Sequence, residues 1–376
     1  MASKNFSVVV ACCDQLGIGH GGSLPWQLKE DMQFFRKLTT KCANGKQNAV
    51  IMGRKTYFSI PEKFRPLKNR VNIVLSRAST LDIPESVYHA KDFNSALDLL
   101  GSDSLKESLD RVFVIGGSAI YQEAFQSQHL YRVYLTRIYK SFQCDVFLPK
   151  TSLPSFKRVQ VDGIPYGLQQ DSGTEFEFQV YQRSDHSDDK MSIVAAMSSN
   201  RGIGFEGRFP WPHLPTDYEY YNSVISPANC KTPDGVVCLI EGRLSYQEAI
   251  ERNIRVDKPG FITVVLSSDP SRVPNLSPHL VVPDLAQAIE LCRNTKNMES
   301  TYLLGGSRVY TEALAVPECS KIYLTEIDKE FPSDTFFPVF ERLFTLVSEG
   351  KTITENGCSF KFNIYERKSF DELLEC

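Results

Sequence analysis

The chain carries one pattern of strands, glycine turns and aromatic residues twice, and this repeat limits what it can fold into more than any other feature. Val8-Val9-Val10-Ala11, Gly17-Ile18-Gly19 and Leu24-Pro25-Trp26 return as Ile193-Val194-Ala195-Ala196, Gly202-Ile203-Gly204 and Phe209-Pro210-Trp211. Further along, Ile115-Gly116-Gly117-Ser118 and Tyr134-Leu135-Thr136 return as Leu304-Gly305-Gly306-Ser307 and Tyr323-Leu324-Thr325. Two domains with the same fold are therefore predicted.

Length, charge and cysteine content exclude several classes of protein. A chain of 376 residues exceeds what one hydrophobic core usually organises, which agrees with two domains. A net charge of −3 gives no overall field for nucleic acid or anionic lipid. The ten cysteines have no zinc-site spacing, and no stretch approaches the roughly 20 apolar residues of a membrane span. We expect a cytoplasmic protein with reduced thiols, no leader segment, no metal, and neither nucleic acid nor membrane as partner.

Apolar strands alternate with helical segments in the first half, which predicts an α/β fold: a mostly parallel central sheet with helices on both faces. The predicted strands are 6–13, 49–52, 71–75 and 112–115, and the predicted helices are 28–39, 54–59, 93–100 and 119–126. Strands 131–138 and 176–182 follow without a helix between them, which indicates an antiparallel edge. The polar run 184–190 is predicted to be a linker between domains 1–183 and 191–376.

On the first predicted helix a carboxylate lies on an apolar stripe. Leu28, Asp31, Phe35 and Leu38 recur at helical spacing and share one face. An unpaired buried carboxylate costs several kcal/mol, so Asp31 must either take up a proton or meet a cationic, hydrogen-bonding partner. It is a candidate binding anchor or proton donor. The alternative is an Asp that caps the helix, but the same stripe returns at Leu214, Asp217, Tyr221 and Val224.

Three strand ends in the first half have features that suit a phosphate. Strand 49–52 runs into Gly53-Arg54-Lys55-Thr56, strand 71–75 ends in Ser76-Arg77, and strand 112–115 ends in Gly116-Gly117-Ser118-Ala119. Each turn alone could be ordinary strand-to-helix geometry. Three at the carboxyl edge of one sheet favour a dinucleotide, and the extra cations favour a form with a 2′-phosphate. No G-x-G-x-x-G motif follows the first strand, so the usual Rossmann arrangement is not indicated.

The two halves differ in charge at these turns. Residues 53–77 hold seven basic residues and one acidic residue, whereas the matching stretch 242–268 holds four basic and three acidic residues. A charged run is most often a solvated surface, but here two copies of one fold differ. The first half therefore looks suited to anionic ligands and the second does not.

The motifs of the first half together resemble the dihydrofolate reductase family over residues 5–183. They are Val9-Val10-Ala11, Gly17-Ile18-Gly19, Leu24-Pro25-Trp26, Asp31, residues 50–56, Ser59-Ile60-Pro61, residues 65–70, Leu75-Ser76-Arg77, Ile115-Gly116-Gly117-Ser118 and Thr136. The resemblance implies an NADPH-dependent enzyme that transfers a hydride to C6 of 7,8-dihydrofolate while N5 is protonated. Antifolates such as methotrexate are then expected to bind.

The resemblance also implies a role for each matching residue. Catalysis would rest on Asp31, Trp26 and Thr136. Dihydrofolate would contact Val9, Val10, Met32, Phe35, Ile60, Leu67, Arg70 and Ile115, with Arg70 on the carboxylate of the glutamate tail. NADPH would contact Ala11, Ile18, Gly19, Ser23, Gly53, Arg54, Lys55, Thr56, Leu75, Ser76, Arg77, Gly116, Gly117, Ser118, Ala119, Ile120 and Tyr121. The segment with Ile18, Gly19 and Ser23 would close over the nicotinamide.

The second half, residues 191–367, resembles the family less completely. Its candidate site residues are Asp217, Trp211, Tyr221, Thr325, Gly305 and Gly306. Leu244, Phe261 and Ser268 replace Lys55, Arg70 and Arg77, and Glu241 replaces Met52. We expect a weak or inactive reductase domain, retained for packing on the first domain, for oligomerisation, for regulation or for a different ligand. The alternative is that Arg255 or Arg272 substitutes for a missing cation.

Two rival functions are compatible with parts of this pattern. One is another NADPH-dependent heterocycle reductase of the same fold, such as the pyrimidine reductase of riboflavin synthesis. It would share the cofactor turns but would have no use for Arg70 together with Asp31. The other is a non-catalytic pterin-binding protein, which would be expected to lack some of the key positions of the first half.

Overall fold

The computed structural model describes residues 5–184, 191–251, 259–273 and 279–373. The chain divides into two compact units, which are described separately. Unit 1 contains residues 5–183 and also 369–373, and unit 2 contains residues 184–368. Most of the predicted linker, residues 185–190, lies outside the described residues.

Among its described residues, unit 1 has eleven strands, nine of which form one sheet. Its strands are β1 (Phe6–Cys12), β2 (Gly17–Gly19), β3 (Gln47–Gly53), β4 (Arg70–Leu75), β5 (Val87–Ala90), β6 (Leu109–Val114), β7 (Leu130–Ile138), β8 (Val146–Phe147), β9 (Phe156–Val159), β10 (Leu168–Asp171) and β11 (Thr174–Arg183). Its helices are α1 (Lys29–Thr40), α2 (Arg54–Ser59), α3 (Phe93–Leu100), α4 (Asp103–Lys106) and α5 (Ser118–Gln126). Strands β2 and β8 form a separate two-stranded ribbon.

The sheet order is β10-β11-β7-β1-β6-β3-β4-β5, with β9 beside β11. From β7 to β5 all neighbours are parallel, whereas β11 runs antiparallel to β7, β9 and β10. The predicted parallel sheet with an antiparallel edge is therefore confirmed. The sequence pattern did not predict β5 or the short strands β8, β9 and β10.

Alternation along the central strands places helices on both faces of the sheet. Ala49 and Ile51 of β3 belong to a core that contains apolar side chains of α3 and α5. Val50 and Met52 belong to a second core on the opposite face, against which Phe35 of α1 packs. Because β6, β3 and β4 are adjacent and parallel, their carboxyl ends lie side by side at one edge of the sheet.

Unit 2 repeats this arrangement. Its strands are β12 (Met191–Ser198), β13 (Gly202–Gly204), β14 (Val236–Gly242), β15 (Phe261–Leu266), β16 (Leu280–Val282), β17 (Met298–Leu303), β18 (Cys319–Ile327), β19 (Thr335–Phe336), β20 (Phe344–Glu349), β21 (Ile353–Glu355) and β22 (Cys358–Arg367). Its helices are α6 (Pro215–Val224), α7 (Arg243–Glu251), α8 (Leu285–Asn294) and α9 (Ser307–Leu314). The sheet order is β16-β15-β14-β17-β12-β18-β22, with β20 and β21 both beside β22, and read from the opposite end it matches that of unit 1. No helix among the described residues is long and apolar enough to cross a membrane.

The structure differs from the expected domain boundary at the C-terminal end. We expected residues 191–376 to form the second domain, but residues 369–373 belong to unit 1. Phe370 is fully buried there, with its ring 5.2 Å from Tyr181 and 5.6 Å from Phe125. Its N–H donates to the Phe156 carbonyl at 2.9 Å, and the Asp371 carboxylate accepts from the Ser152 hydroxyl at 2.7 Å. The segment therefore fills part of the first core.

Replacing Phe370 by Ala should destabilise unit 1. Removal of a fully buried aromatic ring typically costs about 3–5 kcal/mol, from lost burial and the cavity that remains. Urea unfolding followed by Trp26 fluorescence would measure this change, in a Trp211→Phe background that leaves Trp26 as the single indole. The matched control is Phe64→Ala, because Phe64 is 56% exposed. Equal effects of the two substitutions would contradict the proposed packing.

Candidate active site

Helix α1 buries Asp31 against the central sheet. Asp31 is only 7% exposed, and its Oδ1 accepts a hydrogen bond from the Thr136 hydroxyl at 2.6 Å. Thr136 lies on β7 directly opposite Ala11 of β1. Burial raises the pKa of Asp31 to about 6, and the Thr136 hydrogen bond acts in the opposite direction. The carboxylate is thus held on the buried face, as its position on the apolar stripe predicted.

Helix capping does not account for Asp31. The first-turn N–H groups of Lys29 and Glu30 donate instead to the Asp171 carboxylate, at 2.5 and 3.2 Å. Asp171 ends β10, in the antiparallel hairpin with β11. Because another side chain satisfies the helix start, the Asp31 carboxylate is available to face the cleft.

A cleft of about 470 Å³ opens beside Asp31. It is lined by Leu24, Trp26, Gln27, Leu28, Lys29, Asp31, Met32 and Gln33. Trp26 is 5% exposed, and its indole N–H meets no hydrogen-bond acceptor among the described residues. A buried donor of this kind ordinarily has a partner. The free donor and the neighbouring carboxylate together suit a polar heterocycle between apolar walls.

Most of the predicted apolar contacts lie together on this face of the sheet. Val9, Phe35, Ile60, Leu67 and Ile115 belong to or pack against one apolar cluster. Met32 is 53% exposed and lines the cleft. Val10 is the exception, because alternation along β1 sends its side chain into the core on the opposite face. The Val10 side chain therefore does not line this face of the sheet.

Arg70 provides a partly buried cation next to this cluster. Its Nη1 donates to the Thr39 hydroxyl at 2.8 Å, and its Nε donates to the Lys68 carbonyl at 3.1 Å. The guanidinium lies 5.9 Å from the centre of the Phe35 ring. Burial, and secondly the nearby Arg36, lower the pKa of Arg70 to about 10. Arg70 remains charged at neutral pH. A carboxylate bound to its guanidinium would offset both the cost of burial and the repulsion from Arg36.

The three predicted phosphate turns are neighbours at the carboxyl edge of the sheet. The Gly53 N–H donates to the Gly116 carbonyl at 2.7 Å, which joins the turns after β3 and β6. Gly116 has a φ of +119°, and a Cβ there would lie 3.2 Å from the Tyr121 hydroxyl oxygen. A Cβ on Gly117 would lie 3.2 Å from Thr56 Oγ1. These turns need glycine, and they leave backbone accessible to a ligand.

The side chains around these turns have the chemistry of an anion site. Arg54, Lys55 and Arg77 are exposed, while the hydroxyls of Thr56 and Ser76 are half-buried. A nucleotide with several phosphates fits this donor set. Leu75 is buried at the end of β4, Ile120 packs next to Gly53, and the buried Tyr121 hydroxyl donates to the Val9 carbonyl at 2.9 Å. Ser118 and Ala119 begin α5.

A short loop near the cleft holds Ile18, Gly19 and Ser23. His20 and Ser23 exchange two backbone hydrogen bonds of 2.9 and 3.0 Å around Gly21-Gly22. The Asp145 N–H donates to the Gly19 carbonyl, and the Asp145 carboxylate accepts from the Gly21 N–H, both at 3.0 Å. Asp145 was not among the site residues predicted from the sequence. Its counterpart Asp334 at the same place in the repeat, which accepts from the Glu206 N–H at 2.8 Å, is the signal that could have found it.

Unit 2 retains the carboxylate pair. The Thr325 hydroxyl donates to Asp217 Oδ1 at 2.6 Å, and burial raises the pKa of Asp217. Trp211 is buried, Tyr221 packs against the neighbouring apolar cluster, and the Gly305–Gly306 turn accepts from the Gly242 N–H at 2.7 Å. The backbone arrangement of the first site is thus repeated.

Three of the four cations of the first site are absent from unit 2 at the matching positions, whereas Arg243 stands at the position of Arg54. Phe261 pairs with Val237 where Arg70 pairs with Asn48, so the register places Phe261 at the position of Arg70. Leu244 is 69% exposed and Ser268 is exposed. Glu241 is 1% exposed on β14. Of the two possible substitutes, Arg272 bonds to Asp269 at 3.2 Å, and Arg255 lies outside the described residues.

Replacing Asp31 by Asn should stabilise ligand-free unit 1 at neutral pH. Because the folded-state pKa is raised, the protonated Asp31 favours folding below about pH 3.8, and this contribution is lost as the pH rises through about 6. A shift of about two pKa units corresponds to up to about 3 kcal/mol at pH 7. Urea unfolding at pH 7 and pH 4, followed by Trp26 in the Trp211→Phe background, should show a gain at pH 7 that disappears at pH 4. A gain of equal size at both pH values would contradict this origin.

Comparison with known proteins identifies the family. The sequence profile of the family described as Dihydrofolate reductase matches residues 5–183 and again residues 190–367. Dihydrofolate reductase of Gallus gallus is 42% identical over 184 residues, 48% of this chain and 97% of that protein. That of Schistosoma mansoni is 45% identical over 177 residues, 46% of this chain and 94% of that protein. A solved structure titled Schistosoma mansoni Dihydrofolate reductase is 42% identical, covers 48% of this chain and 98% of that chain, and has a TM-score of 0.44. Because the family profile matches both halves of the chain, the chain belongs to the dihydrofolate reductase family and carries the family's domain twice.

Proposed function

We propose that unit 1 reduces 7,8-dihydrofolate to tetrahydrofolate with NADPH. The observation that carries the proposal is the buried Asp31 carboxylate, bonded to Thr136 and facing a cleft. Cation-rich turns lie at the carboxyl edge of the same sheet. Nine described cysteines are free thiols, which supports our placement of the reaction in the reducing cytoplasm.

NADPH, when bound, supplies the hydride that C6 of dihydrofolate accepts. Arg54, Lys55 and Thr56 would hold phosphate groups at the turn after β3, and Ser76 with Arg77 would hold the 2′-phosphate after β4. The Gly116–Gly117 turn admits the ligand close to the backbone. The protein contributes position and electrostatic field, and Ile18, Gly19 and Ser23 cover the reacting rings and exclude water.

Asp31 anchors and polarises the substrate. Its carboxylate accepts hydrogen bonds from the 2-amino group and N3 of the pterin, and Thr136 holds the carboxylate in place. The negative charge in a poorly solvated cleft lowers the free energy of the pterin protonated at N5. The unpaired Trp26 N–H offers a donor to the ring, and Arg70 binds the α-carboxylate of the glutamate tail.

Unit 2 is proposed to be a poor or inactive reductase. Three cations of the first site are replaced by Leu244, Phe261 and Ser268, and each lost charge-assisted contact is worth about 1.5–3 kcal/mol. The buried Glu241 adds an acidic group next to the phosphate turn, which would repel a phosphorylated cofactor. The conserved geometry of Asp217 with Thr325 leaves a place for a different ligand.

Asp31→Asn should remove nearly all turnover, whereas Asp217→Asn should leave it almost unchanged. Loss of a charge placed to stabilise a transition state costs about a hundredfold or more in kcat. The measurement is NADPH oxidation with dihydrofolate by the full chain. The second substitution is the matched control because it changes the same carboxylate in the repeat. Comparable losses from both would contradict the assignment of catalysis to unit 1.

Arg77→Ser should weaken NADPH much more than NADH. Ser268 occupies the matching position of unit 2, so this substitution imports a residue that the fold accepts. Loss of one charge-assisted phosphate contact predicts a rise in the KM for NADPH of about tenfold to a hundredfold. A matched change in KM for both cofactors would show that Arg77 does not read the 2′-phosphate.

Methotrexate should quench Trp26 fluorescence with one equivalent per chain in the Trp211→Phe background. The ligand would lie in the cleft that Trp26 lines, next to Asp31. A pyrimidine reductase of the riboflavin type would not bind it stoichiometrically. A non-catalytic pterin-binding protein would bind methotrexate yet fail to oxidise NADPH with dihydrofolate, so the two assays separate the rival functions.

A further inference from the structure

Two thiols of unit 1 share one narrow space beside residues 18–23, the loop proposed above to cover the reacting rings and called the covering loop here. The Sγ atoms of Cys13, which follows β1, and Cys144, which precedes β8, are 3.7 Å apart. Cys13 is fully buried and Cys144 is half-buried. A Cβ on Gly17 would lie 2.4 Å from the Cys144 sulfur and 2.8 Å from the Cys13 sulfur. Glycine at this position leaves just enough room for the two sulfur atoms.

The repeat shows that this space does not require thiols. In unit 2 the matching residues are Ser198 and Ser333, and both hydroxyls lie against Gly202 in the same way. The Ser198 hydroxyl donates to Asn200 Oδ1 at 2.6 Å, and the Ser333 hydroxyl donates to the Phe331 carbonyl at 3.1 Å. The fold therefore accepts a pair of hydroxyls here, and the pair of thiols distinguishes the first unit.

The pair also lies at the base of the covering loop. The Cys13 N–H donates to the Gly17 carbonyl at 2.9 Å, where β2 begins. Next to Cys144, Asp145 binds the backbone of Gly19 and Gly21. A disulfide between Cys13 and Cys144 would join the segment that enters the covering loop to the segment that holds Asp145. The covering loop, which is hydrogen-bonded to both segments, could then no longer move freely.

We propose that Cys13 and Cys144 form a reversible disulfide that fixes the covering loop and slows the reductase. The oxidant is hydrogen peroxide. Cys144, the more exposed thiol, attacks the O–O bond, takes one oxygen as a sulfenic acid and releases one water. The Cys13 sulfur then attacks the Cys144 sulfur, the S–O bond breaks, and a second water leaves. Two thiols thus lose two electrons and two protons, and the peroxide is reduced to two waters.

Only a small local movement is required. The sulfur atoms must approach from 3.7 Å to the roughly 2.05 Å of a disulfide. Burial, and secondly the Cys13 thiol, raise the pKa of Cys144 to about 11, so the thiol is largely protonated and reacts slowly. The pair is thus a poor target at low oxidant levels and responds to sustained oxidation.

The test treats the full chain with hydrogen peroxide, alkylates the remaining thiols and identifies cross-linked peptides by mass spectrometry. The expected result is a Cys13–Cys144 link, a several-fold fall in kcat for NADPH oxidation with dihydrofolate, and recovery after dithiothreitol. Cys13→Ser and Cys144→Ser, which copy the residues of unit 2, should keep their kcat through the same treatment. Cys42→Ser is the matched control that should still form the link, because Cys42 bonds to the Lys46 carbonyl elsewhere.

The outcomes separate this proposal from the reductase assignment. The cross-link is detected without any assay of turnover, whereas the change in kcat rests on the proposed function. Oxidation of Cys144 without a link to Cys13, or links between chains, would overturn the proposal. Equal loss of kcat in wild type and in both serine variants would overturn it as well, because the inactivating oxidation would then lie elsewhere. A Cys13–Cys144 link that leaves kcat unchanged would refute the proposal that fixing the covering loop slows turnover.

Discussion

The candidate site depends on one buried charge, the Asp31 carboxylate, which is hydrogen-bonded to Thr136. A carboxylate at this depth is costly, and one hydroxyl does not offset the desolvation, as the raised pKa of Asp31 shows. The surrounding elements keep it there regardless. Asp171 caps the helix start, the β1–β7 register places Thr136 opposite Ala11, and Phe35 packs the helix onto the sheet. The surrounding elements thus hold a poorly solvated carboxylate in place, and a cationic ligand would stabilise its negative charge.

The two units share the contacts that maintain the fold but differ in the side chains that would bind a ligand. Both contain the Thr–Asp pair, the Gly–Gly turn bound by the preceding strand end, and a buried tyrosine hydroxyl bonded to the carbonyl of the first strand. These contacts lie within the backbone and the core, and they persist where Lys55, Arg70 and Arg77 are replaced. A domain of this fold can therefore keep its architecture while the charged side chains at its turns change.

The sequence was sufficient for the parts of the structure that local pattern determines. Helix periodicity placed Asp31 on the buried face, and strand–glycine junctions placed the turns at Gly53 and Gly116 on one edge. It was insufficient where partners are distant. Asp171 caps a helix more than a hundred residues earlier, and nothing near Phe370 indicates that its ring packs on Phe125. Short strands such as β5, with two exposed residues among four, carry too little alternation to be recognised.

Residues 369–373, which belong to the first unit, affect when that unit can finish folding during protein synthesis. Ribosomes release the chain from its N-terminus, so residues 5–183 emerge long before Phe370 exists to complete their core. The first unit can therefore complete this part of its core, beside Tyr181 and Phe125, only after all of unit 2 has been translated. A premature stop codon anywhere in unit 2 would consequently remove Phe370 and leave the core of the first unit incomplete as well.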